Sequence, residues 1–161
     1  MVVDGNFRRI LLVEGDPLQR QLIREYLEIV GQYKVQESKG LFHLLSACES
    51  PLSGLSLVLL DMEWSRVDGV DLILEIRKRN PRLPILGMTD RQPDLYGEPR
   101  LRGCSIGFIR KPFSPYHLHR SITATLKSHA ADLIRRGQPK APLHLARHPI
   151  PSPYQKAGTS R

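Results

Sequence analysis

The chain has 161 residues, 40% of them apolar, and a formal net charge of +8. That length supports one substantial core with an appendage, and no apolar run approaches the roughly 18 residues of a membrane-spanning helix. The N-terminus MVVDGNFRR lacks the pattern of a signal peptide, and Cys48 and Cys104 form no CxxC pair, so two buried thiols in a reducing cytoplasm are expected.

RRILLVEGD reads as a short buried strand, Arg8 to Val13, ending at acids. A helix follows from Pro17, which suits a first turn. Its apolar face is expected from Leu18, Leu22, Ile23, Tyr26, Leu27 and Val30, with Gly31 as its stop. YKVQES is a weaker second strand, and LFHLLSACES after Gly40 a short helix. LSLVLLDM, residues 55 to 62, is the strongest strand; being apolar on both faces, it belongs in the middle of a parallel sheet. VDGVDLILEIRKRN predicts a helix starting near Asp68, LPILGMT a fourth strand and SIGFIRKPF a fifth. SPYHLHRSITATLKSHAADLIRR is a long closing helix, with Ser114 as N-cap and Pro115 in its first turn.

Strand and helix thus alternate about five times, which predicts an α/β, doubly wound domain on a parallel sheet. Such sheets bind ligands at the carboxyl ends of their strands. Those ends carry Glu14 to Asp16, Asp61, Thr89 and Lys111. Carboxylates held together suit Mg²⁺, which prefers oxygen ligands and water. A lysine and a hydroxyl beside them suit the oxygens of a phosphoryl group, and a carboxylate can itself accept that group as an aspartyl phosphate.

At these residues the chain resembles the receiver domain of two-component response regulators, over residues 7–127. The resemblance is carried by LLVEGDP at the acidic pocket, LVLLDMEWSRVDG around the acceptor, GMT at the hydroxyl and FIRKPF at the lysine. It implies the flavodoxin-like receiver fold, with five parallel strands in the order 2-1-3-4-5. It implies Asp61 as phosphoacceptor, Lys111 as the phosphoryl contact, Thr89 as switch hydroxyl and Phe108 as switch aromatic. The metal ligands it implies for Mg²⁺ are Glu14, Asp61 and the main-chain carbonyl of Glu63, with Asp16 as a further candidate. Pro112 matches the family's cis proline. The expected role is a stand-alone, cytoplasmic phosphorylation switch, not an enzyme beyond its own phosphorylation and dephosphorylation. Its phosphoryl donor would be a histidine kinase or phosphotransfer protein. The output protein is unknown, and a homodimer is compatible with the resemblance. The alternative is a pseudo-receiver, the same fold used purely as a protein-binding module.

The departures are specific. The family's wording has two adjacent acids after the first strand; here Glu14 fills the first place and Gly15 the second. Losing one carboxylate should weaken Mg²⁺ binding, although Asp16, one residue on, could swing inward. Ser65 stands where proline is usual, and Asp90 where a small residue is. Glu63 and Arg91 flank the water path in the family and have opposite charge here, so an ion pair across the mouth is expected. The fourth helix should be short or irregular, because Pro93, Gly97 and Pro99 interrupt its segment. A flavin or nucleotide binder of the same topology is disfavoured, since EGDP would repel a phosphate.

From residue 121 onward seven basic residues face a single acid, Asp132, so the net charge is mainly a property of the tail. Residues 128–136 read as an extension of the last helix, and 137–161 as a basic, proline-rich, disordered tail. Such a tail could add weak, salt-dependent attraction to nucleic acid, without sequence-specific binding. No membrane partner is expected.

Overall fold

The computed structural model describes residues 8–49, 54–64, 66–91, 98–102 and 104–137. Five parallel strands form one sheet: β1 (Arg9–Val13), β2 (Lys34–Glu37), β3 (Leu55–Asp61), β4 (Ile85–Thr89) and β5 (Ile106–Arg110). Their order is β2-β1-β3-β4-β5, as the resemblance implies. β3 sits centrally because its alternate residues enter two different cores. Val58 and Leu60 pack on one face; Leu57 and Leu59 pack on the other.

Among the described residues four α-helices cover the two faces. α2 (Leu41–Glu49) and α3 (Gly69–Arg79) enclose the first core through Leu44, Cys48, Leu72, Ile73 and Ile76. α1 (Pro17–Ile29) and α4 (Pro115–Arg135) enclose the second through Ile23, Leu27, Leu118 and Ile122. The cap expected at Ser114 is in place, and Asp68 caps α3. The side chain of Ser114 accepts a hydrogen bond from the backbone of His117, and that of Asp68 from Val70.

Two readings of α1 need correction. Ile23 and Leu27 are buried, with Tyr26 packed partly against them, but Leu18, Leu22 and Val30 remain 66, 58 and 64% exposed. The helix carries apolar residues around more than one face. At 100° per residue Ile23 and Leu27 share one line, whereas Leu18 and Leu22 lie a third of a turn or more away from it. Gly31 does not supply the left-handed stop, either. Gln32 takes that conformation, at φ 53°, and Gly31 is needed for space, because a Cβ there would lie 2.6 Å from the Tyr33 ring. Cys48 is buried as expected, but Cys104 is only partly so.

The segment expected to form an irregular fourth helix falls mainly on residues outside the described ones. Its described end is a short 3₁₀ turn, Pro99–Leu101, capped by Glu98. Leu101 is buried in the first core, and Arg100 holds the turn to α3 by pairing with Asp71 at 2.8 Å. The tail beyond residue 137 also lies outside the described residues. Among the described residues no helix is long and apolar enough to cross a membrane.

Candidate functional site

Parallel strands all finish on the same edge, so β1, β3, β4 and the residue after β5 deliver Glu14, Asp61, Thr89 and Lys111 to one rim. Glu14, Asp61 and Thr89 are 3, 5 and 1% exposed. Lys111 is anchored through its main chain, which donates to the carbonyl of Thr89 at 2.7 Å. Its ammonium reaches back into the rim, 2.8 Å from Glu14 Oε2 and 3.1 Å from Asp61 Oδ1. The Lys111–Pro112 bond is cis.

This is a charge-assisted arrangement of two buried carboxylates around one ammonium. Burial pulls the Lys111 ammonium down, but the hydrogen bond to Glu14 and the charge of Asp61 outweigh it and hold the lysine above its ordinary value. The lysine therefore stays charged. The closer grip of Glu14 was not legible in the sequence, where nothing distinguishes which acid the lysine touches.

Two carboxylate oxygens of the rim also take backbone hydrogen bonds, one of them the Asp61 oxygen that already faces Lys111. Asp61 Oδ1 accepts from the backbone N–H of Glu63 at 3.1 Å, and Glu14 Oε1 from that of Asp16 at 3.0 Å. The Asp16 side chain caps α1 by accepting from Gln19 N at 2.7 Å. A carboxylate engaged as a helix cap at an exposed position counts against Asp16 as a metal ligand. Gly15 leaves an open wall. A Cβ built there would stand 3.5 Å from Trp64 Cδ1 and 3.9 Å from Asp61 Oδ2, in ordinary van der Waals contact with both.

Glu63 does not pair mainly with Arg91. Its Oε1 accepts the Thr89 hydroxyl at 2.8 Å, whereas Arg91 Nε lies 3.9 Å away on a side chain 81% exposed. Such an exposed pair contributes about 0–1 kcal/mol. Burial pushes the Glu63 carboxyl up; the Thr89 hydrogen bond opposes this, while Asp90 and Asp61 add to it. Phe108 packs on the first core opposite Gly87, where a Cβ would come within 2.8 Å of its ring.

Among the described residues no three His, Cys, Asp or Glu side chains converge as a metal-binding group. Glu14 and Asp61 nevertheless offer hard oxygen donors of the kind Mg²⁺ takes. The donor chemistry fits that ion, with one carboxylate fewer than a site bearing two adjacent acids.

A doubly wound parallel sheet with an acid, lysine and hydroxyl rim at its carboxyl edge defines a signal-receiver class of protein. The comparisons agree. The family model for the response regulator receiver domain matches residues 10–123. The transcriptional regulatory protein BaeR of Escherichia coli is 32% identical over 144 residues, covering 88% of this chain and 54% of that protein. GltR of Pseudomonas aeruginosa, another transcriptional regulatory protein, is 31% identical over 140 residues, covering 84% of this chain and 55% of its own. The chain thus spans about half the length of these relatives. Among solved structures, a CheY-like receiver domain protein from Methanospirillum hungatei superposes with TM-score 0.66 at 22% identity, covering 78% of this chain and 98% of that one. The receiver domain of the sensor histidine kinase PA1611 from Pseudomonas aeruginosa, solved with magnesium coordinated in its active-site cleft, gives TM-score 0.62 at 25% identity, covering 75 and 98%. The chain belongs to the response regulator receiver family.

Proposed function

We propose that this chain is a cytoplasmic phosphorylation switch whose receiver unit, residues 7–127, takes a phosphoryl group on Asp61 from a histidine kinase or phosphotransfer protein. The observation that supports this reading is the Lys111 ammonium, 3.1 Å from Asp61 Oδ1 and 2.8 Å from Glu14 Oε2. It is a fixed positive charge beside a carboxylate nucleophile, placed to neutralise incoming phosphoryl oxygens. On transfer, an Asp61 carboxylate oxygen forms the new bond to phosphorus as the donor's bond to phosphorus breaks. Lys111 then exchanges part of its hold on the carboxylates for the phosphoryl oxygens, and the Thr89 hydroxyl can donate to another.

The implied Mg²⁺ would be held by Glu14, Asp61 and the main-chain carbonyl of Glu63, and when bound it supplies further positive charge to the phosphoryl oxygens. With Gly15 in place of an acid, its binding is weak. The chemistry proposed at Asp61 is the same whether or not further domains accompany the receiver.

Gly15 also supports a second reading, a pseudo-receiver that binds partners without phosphorylation. One experiment separates the two: incubation with phosphoramidate and Mg²⁺ followed by intact mass. The switch predicts a gain of one phosphoryl group that is lost in Asp61→Asn. No gain at saturating Mg²⁺ would favour the pseudo-receiver.

A further inference from the structure

The switch hydroxyl has a competitor for its proton. A threonine hydroxyl has one hydrogen to donate, and Thr89 donates it to Glu63 Oε1 at 2.8 Å. Thr89 Oγ1 in turn accepts from the backbone N–H of Arg91 at 3.2 Å, so both sides of the hydroxyl are engaged. Thr89 is 1% exposed, which leaves water little access to replace either partner. Its backbone is fixed as well, because its carbonyl accepts from Lys111 N at 2.7 Å and its strand is paired on both sides. Only rotation about χ1, stiff in a β-branched residue, is left for moving the hydroxyl.

We propose that Glu63 is a latch on Thr89: its carboxylate holds the switch hydroxyl in the resting state, and a phosphoryl group on Asp61 must win that hydroxyl from it. This rests on the reading of Asp61 as phosphoacceptor. Glu63 is well placed for such a contest, since its own N–H donates to Asp61 Oδ1 at 3.1 Å. A new phosphoryl anion on Asp61 repels the like-charged Glu63 carboxylate while attracting the Thr89 hydroxyl. The displaced carboxylate has Arg91 Nε to turn to, 3.9 Å away in the resting state. Glu63 is therefore a positioning residue: it acts through Thr89 and sets how much of the phosphoryl group's binding is spent on opening the latch.

The test uses the full chain and beryllofluoride, a non-covalent mimic of the acyl phosphate, with Mg²⁺. Trp64 fluorescence reads binding, and three-bond couplings to the Thr89 methyl read its χ1 in the free protein. In Glu63→Ala the free Thr89 should pass from one rotamer to an averaged mixture, and beryllofluoride should bind about tenfold tighter, the scale of one hydrogen bond to a charged acceptor. Glu63→Gln, which keeps an acceptor oxygen without the charge, should fall between. In a Thr89→Ala background the gain should disappear. Beryllofluoride affinity unchanged by Glu63→Ala overturns the latch. So does a gain that persists in Thr89→Ala, which would show Glu63 acting by charge alone. If free Thr89 becomes averaged in Glu63→Ala yet no variant binds beryllofluoride, the phosphoacceptor reading has failed and the latch falls with it; binding that ignores Glu63 leaves that reading intact.

Discussion

Restoring an acid at position 15 is the sharpest perturbation of this site. The Gly15 backbone lies outside the left-handed region, and its open side admits a Cβ 3.5 Å from Trp64 Cδ1 and 3.9 Å from Asp61 Oδ2. Gly15→Asp should therefore fold without a clash and bring a carboxylate beside Asp61. Two opposing terms follow. In the metal-free protein the new charge is repelled by Glu14 and Asp61, of which Lys111 neutralises only one. At about 4 Å each repulsion costs about 1 kcal/mol at the dielectric of water, so stability should fall by about 1–2 kcal/mol. With Mg²⁺ bound, the same carboxylate meets a divalent ion. At about 4 Å the attraction is about 2 kcal/mol even at that dielectric, or about thirtyfold in Kd. Calorimetric titration with Mg²⁺ measures the gain. Urea unfolding with and without Mg²⁺ gives the stability half of the same cycle. An unchanged Mg²⁺ affinity in Gly15→Asp would refute the account of the missing acid, and would mean that the rim already holds its full complement of donors.

Other consequences follow from single contacts. Lys111→Ala leaves the Glu14 and Asp61 side chains, 1 and 7% exposed, without their shared ammonium; urea unfolding at pH 8 should show a loss of about 3 kcal/mol, and a loss below about 1 kcal/mol would mean that the carboxylates find other compensation. His129 is buried in α4, where burial first, and the charge of Arg77 after it, pull its imidazole below the ordinary histidine value. It is neutral in the fold, so its contribution to stability is complete above the unfolded histidine pKa of about 6.5 and is lost as pH falls from there through the lower folded value, by up to about 1.4 kcal/mol per pH unit; the same slope in His129→Leu would exclude this residue as its source. Ser114→Ala removes the acceptor for His117 N and should cost about 1 kcal/mol in thermal unfolding; no change would show that the cap is redundant.

The α/β class was legible because the signal is coarse and repeated, while the order 2-1-3-4-5 came with the family resemblance. Alternation of strand and helix, with one strand apolar on both faces, leaves few parallel topologies. The rim followed from it, since strand ends in a parallel sheet share an edge; Glu14, Asp61, Thr89 and Lys111 needed no finer knowledge than the ends of β1, β3, β4 and β5. The face of α1 was not legible, because Leu18, Leu22, Ile23, Tyr26, Leu27 and Val30 all satisfy helical spacing over too wide an arc, and only the packed sheet decides which of them is buried.

Glu63 marks the deeper limit. Opposite charge and position offered Arg91 as its partner, and at an exposed surface that is a reasonable pairing. The structure keeps that pair at 3.9 Å and gives the same Glu63 oxygen a closer bond, to a hydroxyl that is buried and has one proton to give. Burial decides the competition. Arg91 is solvated at 81% exposure and gains little from pairing, whereas a buried hydroxyl left without an acceptor would cost about 1–3 kcal/mol. Sequence states the charges but not which side chains water can reach, and here access to water selects the partner. The same reasoning applies to Lys111. Its two carboxylates are buried and both pair with it, so it is the charge on which the rim's balance turns. A receiver that has lost one carboxylate depends correspondingly more on this lysine, and on the hydroxyl that Glu63 holds.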